Sequence, residues 1–151
     1  MKNKNLEHKN KTFEMKAKAT EVLGEAVLVL LSSPAHRLSF FVGDLEWLLL
    51  PAISKEQFRL YRDKENKPVG LILWANVDNE IDKKLEMGIG KLGLKDWDNG
   101  ENLWVIDLIA PMGGGDKMLG ELKDTVFKGK KFKYQSVDKD GNRKIIVENK
   151  E

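Results

Sequence analysis

The sequence of 151 residues contains no cysteine. Disulfides, thiolate metal sites and a cysteine nucleophile are therefore excluded. Histidine is nearly absent, with two in the chain. His8 lies in a polar, lysine-rich stretch, which leaves His36 as the histidine of the folded body. A histidine-rich zinc site is not available, so no metal site is expected. Long apolar runs are missing as well. The longest, Val27 to Leu31 and Trp47 to Ala52, fall far short of the roughly 20 residues of a membrane-spanning helix. No apolar core with a small-residue cleavage site follows the first residues, so no secretory signal is read.

What is present is an ordinary globular composition, 41% hydrophobic and 33% charged, in a length that fits one domain with a real core. The net charge of +2 is unevenly spread. Residues 1–20 carry six lysines against two glutamates, residues 21–115 carry 10 basic and 15 acidic groups, and residues 116–151 carry 10 basic and seven acidic groups. The reading is a flexible lysine-rich leader at 1–20 and a single domain at 21–151. The basic run 128–133 suits an acidic protein surface. Weak net charge and the lack of a reader motif argue against nucleic acid.

Periodicity outlines an α+β chain. Val22, Leu23, Ala26, Val27, Leu30 and Leu31 mark one buried helical face. That helix must stop before Pro34, because proline disfavours helical geometry in the residue preceding it. Ser33-Pro34 reads as a fresh helix start, with an N-cap serine and a first-turn proline. Residues 57–62 and Val69 to Trp74 form a hairpin around a polar turn. A short helix is expected at 78–86. Leu103 to Ala110 is apolar on both faces and therefore central. A glycine loop, a helix at about 116–127 and a hairpin of 131–137 with 143–148 complete the chain.

Four features could carry chemistry. Asp107 places a carboxylate inside an apolar strand, so it must be paired, by backbone N–H groups or an arginine such as Arg37, or open to a cleft. His36 falls in the first turn of the short helix, where the dipole is expected to lower its pKa. A neutral imidazole there could accept a proton. Gly113, Gly114 and Gly115 join a strand to a helix and let backbone N–H groups approach a phosphate or an oxyanion. The loop lacks the Gly-Lys-Ser/Thr ending of a nucleotide P-loop. Ser32 and Ser33 lack a nucleophile elbow, and Ser33 is more simply a cap.

Read together, these pieces resemble one family. Leu31-Ser32-Ser33-Pro34-Ala35-His36-Arg37 is similar to the Ser-Pro-x-His-Arg signature of the RTX toxin-activating lysine acyltransferases, the hemolysin-activating type. Leu50-Pro51-Ala52-Ile53 follows at matching spacing. Asp63, Pro68-Val69-Gly70 and Trp74-Ala75 resemble the family's central hairpin. Trp97-Asp98-Asn99-Gly100 and the run from Trp104 through Asp107 to Gly113 resemble its most distinctive block. The likeness extends from about Leu23 to about Val147, in order. Departures are Leu38-Ser39, where Trp-Pro is common, the lysine-rich leader, and an earlier end at Glu151.

The resemblance implies a fold like the GCN5-related N-acetyltransferases, with a mainly antiparallel central sheet flanked by helices. It implies transfer of a fatty acyl chain from acyl carrier protein, a phosphopantetheine thioester co-substrate, to internal lysines of an RTX protoxin in the cytoplasm. No bound cofactor is implied. The family's essential histidine and aspartate fall on His36 and Asp107, with Ser33 and Arg37 as supporting residues. Gly113, Gly114 and Gly115 are candidates for contact with the carrier arm. A homodimer stays open. Two alternatives remain at this point: an acyl-CoA-dependent N-acyltransferase acting on a small amine, and a non-catalytic toxin-binding relative.

Overall fold

The computed structural model describes the backbone of residues 3–149 and the side chains of residues 18–149. Helix α1 (Asn3–Ser32) begins within the stretch expected to be a flexible leader, most of whose side chains lie outside the described residues. Its described apolar face is the expected one: Ala26, Val29 and Leu30 are buried, with Val22, Leu23 and Val27 packed beside them.

Helix α2 (Pro34–Arg37) starts where Ser33 leaves helical geometry, at φ −95° and ψ 114°. Two further short helices, α3 (Asp44–Leu48) and α4 (Leu50–Ser54), follow. They were not visible in the sequence, because five residues are too few to show a helical period. They bury Leu48, Leu49, Ala52 and Ile53 against α1 and the sheet.

The sheet has five strands in the order β1-β2-β3-β4-β5. Strand β1 (Phe58–Arg62) and β2 (Pro68–Val77) form the expected hairpin. Asp78 then caps α5 (Asn79–Glu86) by accepting from the Ile81 amide. Strand β3 (Asn102–Ile109) is central and antiparallel to β2. Helix α6 (Gly115–Asp124) crosses over to β4 (Phe132–Val137), which is parallel to β3, and β5 (Arg143–Glu148) closes a hairpin with β4.

Two departures from regular pairing position the site. The first is a bulge between β2 and β3: Leu73 faces Asp107 and Trp74 faces Val105, so Ile106 is the extra residue. A bulge of this kind shifts the alternation of side chains by one. Ile106 and Ile109 therefore join the core under α1, and Asp107, opposite the α1-side Leu73, shares that face. The second is the β3–β4 ladder, which is confined to Trp104↔Lys133. Lys133 clamps that paired end with ion pairs to Asp82 (3.0 Å) and Glu86 (2.8 Å). Toward their C-terminal ends a cavity of about 410 Å³ separates the strands.

The core lies on both sheet faces. One cluster joins α1, α3 and α4 to Leu71, Leu73, Ala75 and Val77 of β2, with the fully buried Trp97 beneath them. The other packs α6 and Phe127 on Ile72, Trp74, Val105 and Phe132. Among the described residues no helix is long and apolar enough to cross a membrane.

Candidate active site

Ser33, His36 and Asp107 meet where the start of α2 touches the far half of β3. His36 Nε2 lies 3.0 Å from Asp107 Oδ1, and His36 Nδ1 lies 2.7 Å from Ser33 Oγ. An ionised carboxylate only accepts, so Nε2 carries a proton toward Asp107. In the neutral ring Nδ1 is then the basic nitrogen, and the Ser33 hydroxyl donates to it. Ser33 Oγ also accepts from the His36 backbone N–H at 3.4 Å, which completes the N-cap. Ser33 is buried, while the His36 and Asp107 side chains keep about a fifth of their surface exposed, 20% and 21%. They can therefore touch a ligand. Phe40 stacks on the imidazole with ring centroids 6.1 Å apart.

The His36 pKa is raised above its ordinary value of 6.5, not lowered as expected. The hydrogen bond that the imidazole donates to Asp107 is the main cause; burial opposes it, and the Asp107 charge adds a smaller push upward. The expectation failed because α2 has four residues and little dipole, whereas a carboxylate at hydrogen-bond distance stabilises the imidazolium directly. Among the described residues the partner of Asp107 is His36, not Arg37. Arg37 is exposed and faces a different, apolar cavity.

Of the three loop glycines only Gly115 reaches the cleft that Asp107 lines, while Gly113 and Gly114 are exposed and do not line it. Gly113 and Gly114 both have φ +82°, a left-handed geometry open to glycine at little cost. Gly114 is the N-cap of α6 without a side-chain bond. Gly115 enters the helix where an added Cβ would come within 2.9 Å of Leu108. It lines the cleft between β3 and β4 together with Asp107, Tyr134 and Ser136. Tyr134 and Ser136 were missed in the sequence. The usable signal was the strand–loop–helix unit before them, since a crossover normally returns the next strand parallel to the first. No group of three or more histidines and carboxylates among the described residues is arranged to hold a metal ion.

A strand–loop–helix unit with an imidazole–carboxylate pair at a split between parallel strands can move a proton beside a bound ligand. Comparison with known proteins gives the family. The profile of the RTX toxin acyltransferase family matches residues 15–151. An uncharacterized protein of Synechocystis is 33% identical over 131 residues, 84% of this chain and 86% of that protein. The lysine-acyltransferase RtxC of Vibrio cholerae is 32% identical over 109 residues, 71% of this chain and 69% of that protein. The protein-lysine myristoyltransferase HlyC of Escherichia coli is 37% identical over 93 residues, 62% of this chain and 52% of that protein. The chain belongs to the RTX toxin acyltransferase family.

Proposed function

We propose that this protein is a protein-lysine fatty acyltransferase, with a fold like the GCN5-related N-acetyltransferases, that activates an RTX protoxin in the cytoplasm by moving an acyl chain from acyl carrier protein to internal lysine side chains. The observation that carries this reading is the contact of His36 Nε2 with Asp107 Oδ1 at the edge of the β3–β4 cleft. Relatives named as lysine acyltransferases supply the reaction class.

A free lysine amine, with a pKa of about 10.4, is protonated at neutral pH and cannot attack a thioester. His36 removes that proton, entering through Nδ1 or the Ser33 hydroxyl bonded to it, and Asp107 stabilises the imidazolium that forms. His36 passes this first proton to solvent. The amine nitrogen then bonds to the thioester carbon and gives a second proton to His36, the carbon–sulfur bond breaks, and His36 hands that proton to the departing sulfur, leaving a neutral amide and a thiol. Gly115 lines the cleft at the start of α6, which supports its backbone N–H as the donor to a developing oxyanion. Both ring nitrogens of His36 are engaged within the protein. An acyl-imidazole would have to break one of these bonds, so direct transfer is favoured.

The test is a reaction of the purified chain with acyl-loaded carrier protein and an RTX protoxin, read by mass spectrometry of lysine-containing peptides. The wild type adds one acyl mass per modified lysine. His36→Ala abolishes the addition, and Asp107→Asn reduces it at least a hundredfold. Near wild-type activity in both variants would end the dyad proposal. Equal or faster turnover with acyl-CoA would replace the carrier as donor.

A further inference from the structure

A second cavity, about 160 Å³ in volume, is lined by His36 and shares no lining residue with the cleft. It is walled by α1 through Val27 and Leu31 and by the segment after α2 through Phe40 and Leu45, with His36 and Arg37 as its polar members. Next to it the protein leaves three large apolar side chains in water: Leu38, Phe41 and Val42 are each at least 85% exposed. Contiguous exposed apolar surface of this kind marks a binding surface. The cavity and the cleft share one feature, the His36–Asp107 pair, with His36 lining the first and Asp107 the second.

We propose that this apolar cavity houses the hydrocarbon chain of the acyl donor, and that Val27 and Leu45 limit the chain length. The inference rests on the acyl-transfer reading above and assigns its two halves to two compartments. A thioester presented to the dyad has a polar arm on one side of its carbonyl and an aliphatic chain on the other. The cleft between β3 and β4 is the larger and offers polar walls at Ser136, Gln135 and Asp116. The smaller cavity is apolar apart from the residues at its His36 end. Placing the aliphatic chain there removes methylenes from water and covers Phe41 and Val42. The reverse placement would bury a polar arm without partners.

Val27 is half-buried, so its replacement changes the cavity without opening the deep core. Each methylene withdrawn from water is worth roughly fourfold in affinity, so excluding two costs roughly tenfold or more. The experiment compares wild type, Val27→Phe and Val27→Ala on carrier proteins loaded with chains from six to sixteen carbons. In parallel, 11-(dansylamino)undecanoic acid is titrated into each full chain as a fluorescent probe. Val27→Phe is expected to lower the ratio of fourteen-carbon to six-carbon transfer about tenfold and to weaken probe binding. Val27→Ala is expected to move the preference toward longer chains. Should Val27→Phe fail to fold, Leu31→Trp narrows the cavity from a half-exposed position. Equal changes at every chain length, or probe binding untouched by these variants, would overturn the assignment. Probe binding that weakens in Val27→Phe while the wild type transfers no chain would uphold the aliphatic cavity and discard acyl transfer.

Discussion

Asp107 on the central strand and His36 on α2, 71 positions apart, meet at 3.0 Å. Their pairing raises the histidine pKa, and that gives a prediction with a definite sign. His36 gains protons on folding, so the pair adds stability that is complete below the ordinary value of 6.5 and is lost as pH rises through the raised folded value. An NMR titration of the His36 ring, assigned with His36→Gln, should show a midpoint above 6.5 that falls in Asp107→Asn. Transfer needs the neutral ring, so its rate should climb with pH through the same midpoint. An identical midpoint in wild type and Asp107→Asn would contradict this account.

Ser33 acts on the same imidazole from the opposite edge. Ser33→Ala removes both the cap on α2 and the donor to Nδ1. A lost N-cap costs about 1 kcal/mol. Urea unfolding should show a loss of that size, with transfer reduced but still measurable because Asp107 continues to hold Nε2. Unchanged stability together with unchanged transfer would show that the contact is incidental.

Two glycines offer a contrast. A Cβ at Gly100 would lie 2.2 Å from the Val77 carbonyl oxygen, which is backbone and cannot yield. A Cβ at Gly70 would meet the end of the Met118 side chain at 2.4 Å, a flexible group that can swing aside. Gly100→Ala should therefore be severely destabilising, by roughly 3 kcal/mol or more, and Gly70→Ala by roughly 1 kcal/mol. Thermal melts that rank the two in the opposite order would refute the comparison.

Gln57 is buried and donates from Nε2 to the carbonyls of Trp74 at 3.0 Å and Trp97 at 2.9 Å. It ties the segment 92–100 to the centre of the sheet. Gln57→Leu leaves those carbonyls without this donor in an apolar setting, at a cost of about 2 kcal/mol. Faster amide hydrogen exchange should appear first in residues 92–100. Protection unchanged there would show that Trp97 packing and the backbone bonds to Asn76 hold the segment without Gln57.

Much of the architecture was readable in advance, for reasons specific to each segment. The apolar face of α1, the hairpin of β1 with β2, the closing hairpin and the strand–glycine loop–helix unit all rest on local periodicity or turn chemistry. Helices α3 and α4 did not show, being too short for a period. The parallel pairing of β4 with β3, and with it the contribution of Tyr134 and Ser136 to the cleft, depends on a crossover between separate elements.

The sequence by itself determined which groups were available: one body histidine, no thiol, and a lone carboxylate in an otherwise apolar strand. It also determined that Ser33 and Pro34 would begin a helix at His36, since capping is a local matter. Which way Asp107 points was settled by tertiary structure. Strict alternation along β3 would place it beside Val105, toward α6, and the bulge at Ile106 turns it toward α1 and α2 instead. The direction of the His36 pKa shift follows from that turn, because a carboxylate can stabilise an imidazolium only where packing brings the two within hydrogen-bond distance.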